Sequence, residues 1–102
     1  MNESVLSYYV PKDWRLLAAL DESEPYEVDV TEIYQRPDGK LILATASGCS
    51  CWDGDYDTDE FDTLDALWLS AKFADNRRWN PSWRGSEELV REARVALEET
   101  AQ

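Results

Sequence analysis

Apolar and polar residues alternate most regularly over YEVDVTEIYQ, residues 26–35. Tyr26, Val28, Val30, Glu32 and Tyr34 fall on one side, and Glu27, Asp29, Thr31 and Ile33 on the other. A period of two predicts a strand with one mostly apolar and one mostly polar face. RPDGK (36–40) then reads as a turn. Pro37 presets its backbone angle, Asp38 can bond its own backbone, and Gly39 supplies a positive φ. KLILATAS (40–47) is nearly all apolar, which predicts a strand buried on both faces. The two strands make an antiparallel hairpin over 26–47.

Beyond residue 61 the period lengthens. In DTLDALWLSAKFADN (62–76), Leu64, Leu67, Trp68, Ala71 and Ala74 form a stripe at helical spacing, with Asp62 or Thr63 placed to cap it. Leu69 and Phe73 fall on the opposite side, so this helix is either sandwiched in the fold or has a partner, and a homodimer through it is one expectation. Pro81 and Gly85 break the pattern in RRWNPSWRG (77–85). SEELVREARVALEET (86–100) predicts a second helix, with Ser86 as N-cap and Glu87 and Glu88 in the first turn, where the dipole favours them. Its stripe is Leu89, Val90, Ala93, Ala96 and Leu97, flanked by the i,i+4 pairs Glu87 with Arg91 and Arg94 with Glu98. WRLLAAL (14–20) fits a short helix after Pro11 or an edge strand equally well. The predicted fold is α+β and a single domain over 1–102: a small antiparallel sheet (hairpin 26–47, with 14–20 as a candidate third strand) packed by two C-terminal helices (62–76 and 86–100).

Composition supports one core. The chain has 102 residues, 43% of them hydrophobic, with five Trp and five Tyr, enough for a domain without staples. No run reaches the roughly 18 apolar residues of a membrane span. MNESVLSYYV lacks a basic region followed by an apolar one, so no signal peptide is expected and a cytosolic protein is. Histidine is absent, which removes the commonest general base and metal ligand and excludes Ser–His and Cys–His machinery within the chain. The net charge is −12. Residues 1–65 hold sixteen Asp/Glu against four Lys/Arg, while residues 66–102 hold six of each. A field of this sign repels nucleic acid and anionic membranes and attracts cations or a basic protein surface.

The candidate chemistry lies in SGCSCWDGDYDTDEFD (47–62). In an extended strand Cys49 and Cys51 point to one face roughly 6.6 Å apart, at the edge of disulfide reach and strained if closed. Three readings stand: small buried residues at a strand end, a reactive redox pair, or a zinc site completed by Asp53 and Asp55 or by a second copy of the chain. Asp53, Asp55, Asp57 and Asp59 alternate like a calcium loop, yet the register fails the EF-hand. Counting from Asp53, position six is Thr58 and position twelve Leu64, where Gly and Glu are required. A weaker calcium or magnesium site, a solvated loop and a partner-binding surface of Asp53, Asp55, Asp57, Asp59, Glu60 and Asp62 stay open. Arg77, Arg78, Trp79, Trp83 and Arg84 interleave cation and ring as single-strand binders do. In so acidic a chain they are expected instead to pair back onto the acidic loop, with Trp79 and Trp83 as anchors or as partner-binding residues. No carboxylate pair stands out as a catalytic acid and base, so no enzyme is expected.

Val10, Pro11, Trp14, Tyr26, Asp29 and the string Ser47, Gly48, Cys49, Ser50, Cys51 carry a resemblance. Over residues 9–51 the chain resembles a group of small proteins encoded by phages of actinobacteria. Where that group continues with prolines, this chain has Trp52 and the aspartate run. The resemblance implies a phage product acting in the host cytoplasm, brings no catalytic activity, and favours a strand over 14–20. The expectation is therefore a non-catalytic accessory protein that binds a host protein with a basic surface through an acidic face (53–62 with Glu27 and Asp29). It would act as a nucleic-acid mimic, without binding nucleic acid or membrane. The alternatives are a small metal-binding domain on Cys49 and Cys51, and a virion or scaffold component.

Overall fold

The computed structural model describes residues 4–49, 52–70 and 85–100. Four antiparallel strands lie side by side in chain order: β1 (Arg15–Asp21), β2 (Glu27–Gln35), β3 (Leu41–Cys49) and β4 (Asp57–Phe61). α1 (Leu64–Leu69) follows β4, and α2 (Gly85–Thr100) ends the described chain. A 3₁₀ turn over Leu6–Tyr8 precedes the sheet.

The architecture is α+β, as the pattern predicts, with two corrections. First, the sheet has four strands, because half of the acidic stretch, Asp57–Phe61, pairs with β3 from Thr45 to Leu41. Four carboxylate- or hydroxyl-bearing residues followed by Phe61 make this an edge strand that resists pairing with another chain. Second, the first helix is short and lies in mid-chain, so α2 alone is a C-terminal helix. Thr63 caps α1 by accepting the Ala66 N–H at 3.0 Å, and Ser70 closes it with extended backbone. Ala71, Phe73 and Ala74 lie outside the described residues. Residues 15–21 are strand, the alternative for this segment that the resemblance favours. Leu16 faces Tyr34 while Ala18 faces Ile33, which leaves Leu17 as a bulge. The extra residue puts both Leu17 and Ala18 in the helix-side core.

The hairpin forms as its turn residues dictate. Gln35 pairs with Leu41, Gly39 takes φ 90°, and Asp38 accepts the Lys40 N–H at 3.0 Å.

Both faces of the sheet are covered. On one, Leu17, Ile33, Leu41 and Leu43 pack against Leu64 and Leu67 of α1 and Leu89, Val90 and Ala93 of α2. The predicted polar face of β2 is thus interior, with Thr31 and Ile33 both buried. The Arg15 guanidinium donates to the Ala96 carbonyl of α2 at 2.9 Å, tying the edge strand to that helix. On the other face, Val30, Tyr34, Ile42, Ala44 and Ala46 are covered by Leu6 and Val10 of the segment before β1. Each fully buried Leu, Ile or Val among them contributes roughly 1.5–3 kcal/mol.

Glu32 holds that segment down. Its side chain is 1% exposed, in the middle of an apolar face. One carboxyl oxygen accepts the Val5 and Leu6 N–H groups at 2.7 and 3.1 Å, donors that the start of a 3₁₀ turn leaves without backbone partners. The other accepts the Ser4 hydroxyl at 2.7 Å and the Tyr34 hydroxyl at 2.5 Å. Burial, and then the bond to Glu32, push the Tyr34 hydroxyl pKa well above its ordinary value.

Candidate functional site: the acidic end of the sheet

Strand register separates the charges along the sheet. At one end Arg15 pairs with Gln35, and the 36–40 turn carries Arg36 and Lys40. At the other, β1 ends at Asp21, Glu24 bridges to Glu27, and Glu27 and Asp29 pair with Cys49 and Ser47 of β3. The loop from β3 to β4 carries Asp53 and Asp55 at this same end, and Asp57 opens β4 opposite Thr45, midway along β3. From Leu41 to Cys49, the ends are about 27 Å apart.

The predicted acidic surface divides accordingly. Glu60 is ion-paired with Arg36, and Asp62 with Lys40. Arg36 also holds Asp38 at 2.6 Å. Its guanidinium, helped by the Lys40 N–H, lowers the Asp38 carboxyl to about 2. Asp59 is half-buried, facing Leu43. Asp53, Asp55 and Asp57 are exposed. Among the described residues, none of these three, nor Asp21, Glu24 or Glu27, is in an ion pair. The turn cations thus offset the near end of the acidic run and leave the far end charged. Asp29 registers the result. Burial first, then Asp21 and Glu27, raise its pKa above the ordinary 3.8.

The β3–β4 loop is built on aromatic rings. The Trp52 N–H returns to the Cys49 carbonyl at 3.0 Å, and the Trp52 side chain lies over Gly48, 3.5 Å from where a Cβ would stand. Its indole N–H donates to the Asp55 carbonyl at 2.7 Å. The Tyr9 ring meets Trp52 edge-on, with centroids 5.4 Å apart. The Tyr56 hydroxyl donates to the Tyr9 carbonyl at 3.3 Å. Gly54 passes so close to Tyr9 that a Cβ there would sit 2.5 Å from the ring. Pattern reading found the carboxylates but not these partners. The available signal was Gly54, a glycine inside a charged run, between two aspartates and two aromatic residues.

Cys49 is exposed at the end of β3 and is disulfide-bonded. A disulfide sulfur is a poor metal donor, so zinc binding through Cys49 requires reduction first. Cys51, Trp79 and Trp83, with Arg77, Arg78 and Arg84, lie outside the described residues. Among the described residues no three Cys, Asp or Glu are grouped to hold a metal ion, and no helix is long and apolar enough to cross a membrane. Leu69 is 76% exposed while Leu64 and Leu67 are buried, so the second apolar side expected of the first helix faces outward there. An open cleft of about 410 Å³ lies at the opposite end of the molecule, lined by Gly39, Leu41, Thr63, Leu64 and Leu97. Of the charged groups beside it, Asp62 is paired with Lys40 and Asp65 with Arg94 at 3.3 Å.

Comparison with protein-family models, with curated proteins and with solved structures returns no match.

Proposed function

We propose that this is a non-catalytic binding protein whose acidic sheet end engages a basic surface on a host protein. The observation that supports this reading most is the division of charge along the strands. Arg36 and Lys40 are spent on Glu60 and Asp62 at one end, while Asp53 and Asp55 stand exposed at the other end, where Glu24 and Glu27 also lie, and Asp57 is exposed midway along the sheet. A single-sign patch on a compact body steers an oppositely charged partner and speeds encounter. A basic nucleic-acid-handling protein has the complementary charge, and the phage-like motif around Ser47 to Cys51 supplies the host context.

The test is affinity capture from host lysate with the parent protein and with a variant carrying Asp53→Asn, Asp55→Asn and Asp57→Asn. The captured species should be a basic protein. It should be held at low salt and released at roughly 0.5 M, where the Debye length falls below about 5 Å. The variant should capture less. Capture indifferent to both salt and variant would contradict the proposal.

A further inference from the structure

We propose that the corner formed by Tyr9, Trp52 and Tyr56, with Asp53 and Asp55 beside it, is a seat for an arginine side chain of the partner. This rests on the acidic-end reading and names the group that the end would recognise.

The corner combines two features that a guanidinium needs and that a merely solvated acidic loop does not. The first is exposed ring surface. Tyr9 is 49% exposed and Tyr8 beside it 84%, although tyrosine is ordinarily used to fill a core or an interface. Trp52 and Tyr56 fix the position of Tyr9 through an edge-on ring contact and a hydrogen bond to its carbonyl. The second is carboxylate on the two residues that flank the ring contact. Gly54, with φ 101°, presses the loop onto the Tyr9 ring, so its two neighbours Asp53 and Asp55 are held within one residue of that contact. The Asp53 carboxylate shapes the loop by accepting the Asp55 N–H at 3.3 Å. The Asp55 carboxylate is left exposed. Planar guanidinium stacks on rings and offers forked donors to carboxylates, where an ammonium offers a point charge. The chain itself shows a cation resting on this segment, with the Lys12 ammonium 5.8 Å from the centre of the Tyr8 ring.

The occupant is a basic protein segment rather than nucleic acid, because the surrounding carboxylates repel phosphate. It is an arginine rather than an apolar anchor, because the rings are bordered by charge that an apolar group would desolvate without return.

The experiment titrates the full chain with hexa-arginine and with hexa-lysine, equal in charge, at low salt. It follows the Trp52 indole N–H resonance, which reports the bond to the Asp55 carbonyl. Hexa-arginine should bind about two- to fivefold more tightly, the size of an exposed cation–ring contact, and should move that resonance. Asp55→Asn, which removes an exposed carboxylate with no structural bond of its own, should abolish the preference. So should Tyr9→Ala. Equal affinity for the two peptides overturns the arginine seat and leaves the acidic-end reading standing. Failure of hexa-arginine to bind also overturns the seat, while capture of a basic host protein tests the parent reading separately. Arginine preference that survives Asp55→Asn and Tyr9→Ala places the preference elsewhere and overturns the assignment.

Discussion

Glu32 shows how one polar side chain on an apolar strand face organises its surroundings. Its two carboxyl oxygens serve two backbone N–H groups and two hydroxyls, so the segment covering the second face is held by directed bonds as well as by Leu6 and Val10. Glu32→Ala leaves two backbone donors unpaired, Leu6 buried and Val5 partly buried. It should lower stability by roughly 2–3 kcal/mol in urea unfolding and expose residues 4–10 to proteolysis before the rest of the chain. A loss of a few tenths would mean that apolar contacts alone hold the segment. Gly54 makes a separate prediction. Gly54→Ala adds a Cβ into the Tyr9 ring and strains a left-handed backbone, so it should displace Tyr9 and shift the Trp52 indole resonance. Gly39→Ala carries the backbone strain with nothing in the way, and should leave that resonance in place.

At the scale of elements, what could be read in advance followed from how local the signal was. The hairpin was legible because Pro37, Asp38 and Gly39 determine a turn between two strands of obvious pattern. α2 was legible because Leu89, Val90 and Ala93 keep a helical spacing and are the residues that become buried. β1 was ambiguous because the bulge at Leu17 breaks the period of two. β4 was invisible because an edge strand carrying Asp57, Asp59 and Glu60 looks like a loop until β3 is there to pair with it. The corner at Tyr9 left only Gly54 as a signal, since it joins residues more than forty positions apart. α1 allows a comparison within one short element. Leu67→Ala removes a fully buried side chain and should cost about 2–5 kcal/mol. Leu69→Ala removes one that is 76% exposed and should change stability by less than about 0.5 kcal/mol. If Leu69→Ala proves comparably costly, or stability depends on concentration, Leu69 is covered by a second copy of the chain.

For the whole molecule, the uneven charge has a cost that can be measured. Asp29 sits partly buried among Asp21 and Glu27, and its pKa is raised above 3.8. The folded state therefore holds the proton more tightly than the unfolded state does. The penalty is fully present above the raised folded value and disappears below the unfolded one. Asp29→Asn should thus stabilise the protein at pH 7 by roughly 0.2–1 kcal/mol, the scale of surface charge pairs. The gain should vanish as the pH falls below 3.8. A protein that retains such repulsion at one end, while pairing its turn cations at the other, has a surface suited to an oppositely charged partner.

The most direct measurement of that claim is the salt dependence of complex formation with the captured basic host protein, for the parent and for the variant lacking the charges of Asp53, Asp55 and Asp57. The account predicts that the parent's affinity falls steeply with added salt, and that the variant binds more weakly with a shallower dependence. Equal affinity and equal salt dependence for the two proteins would contradict it.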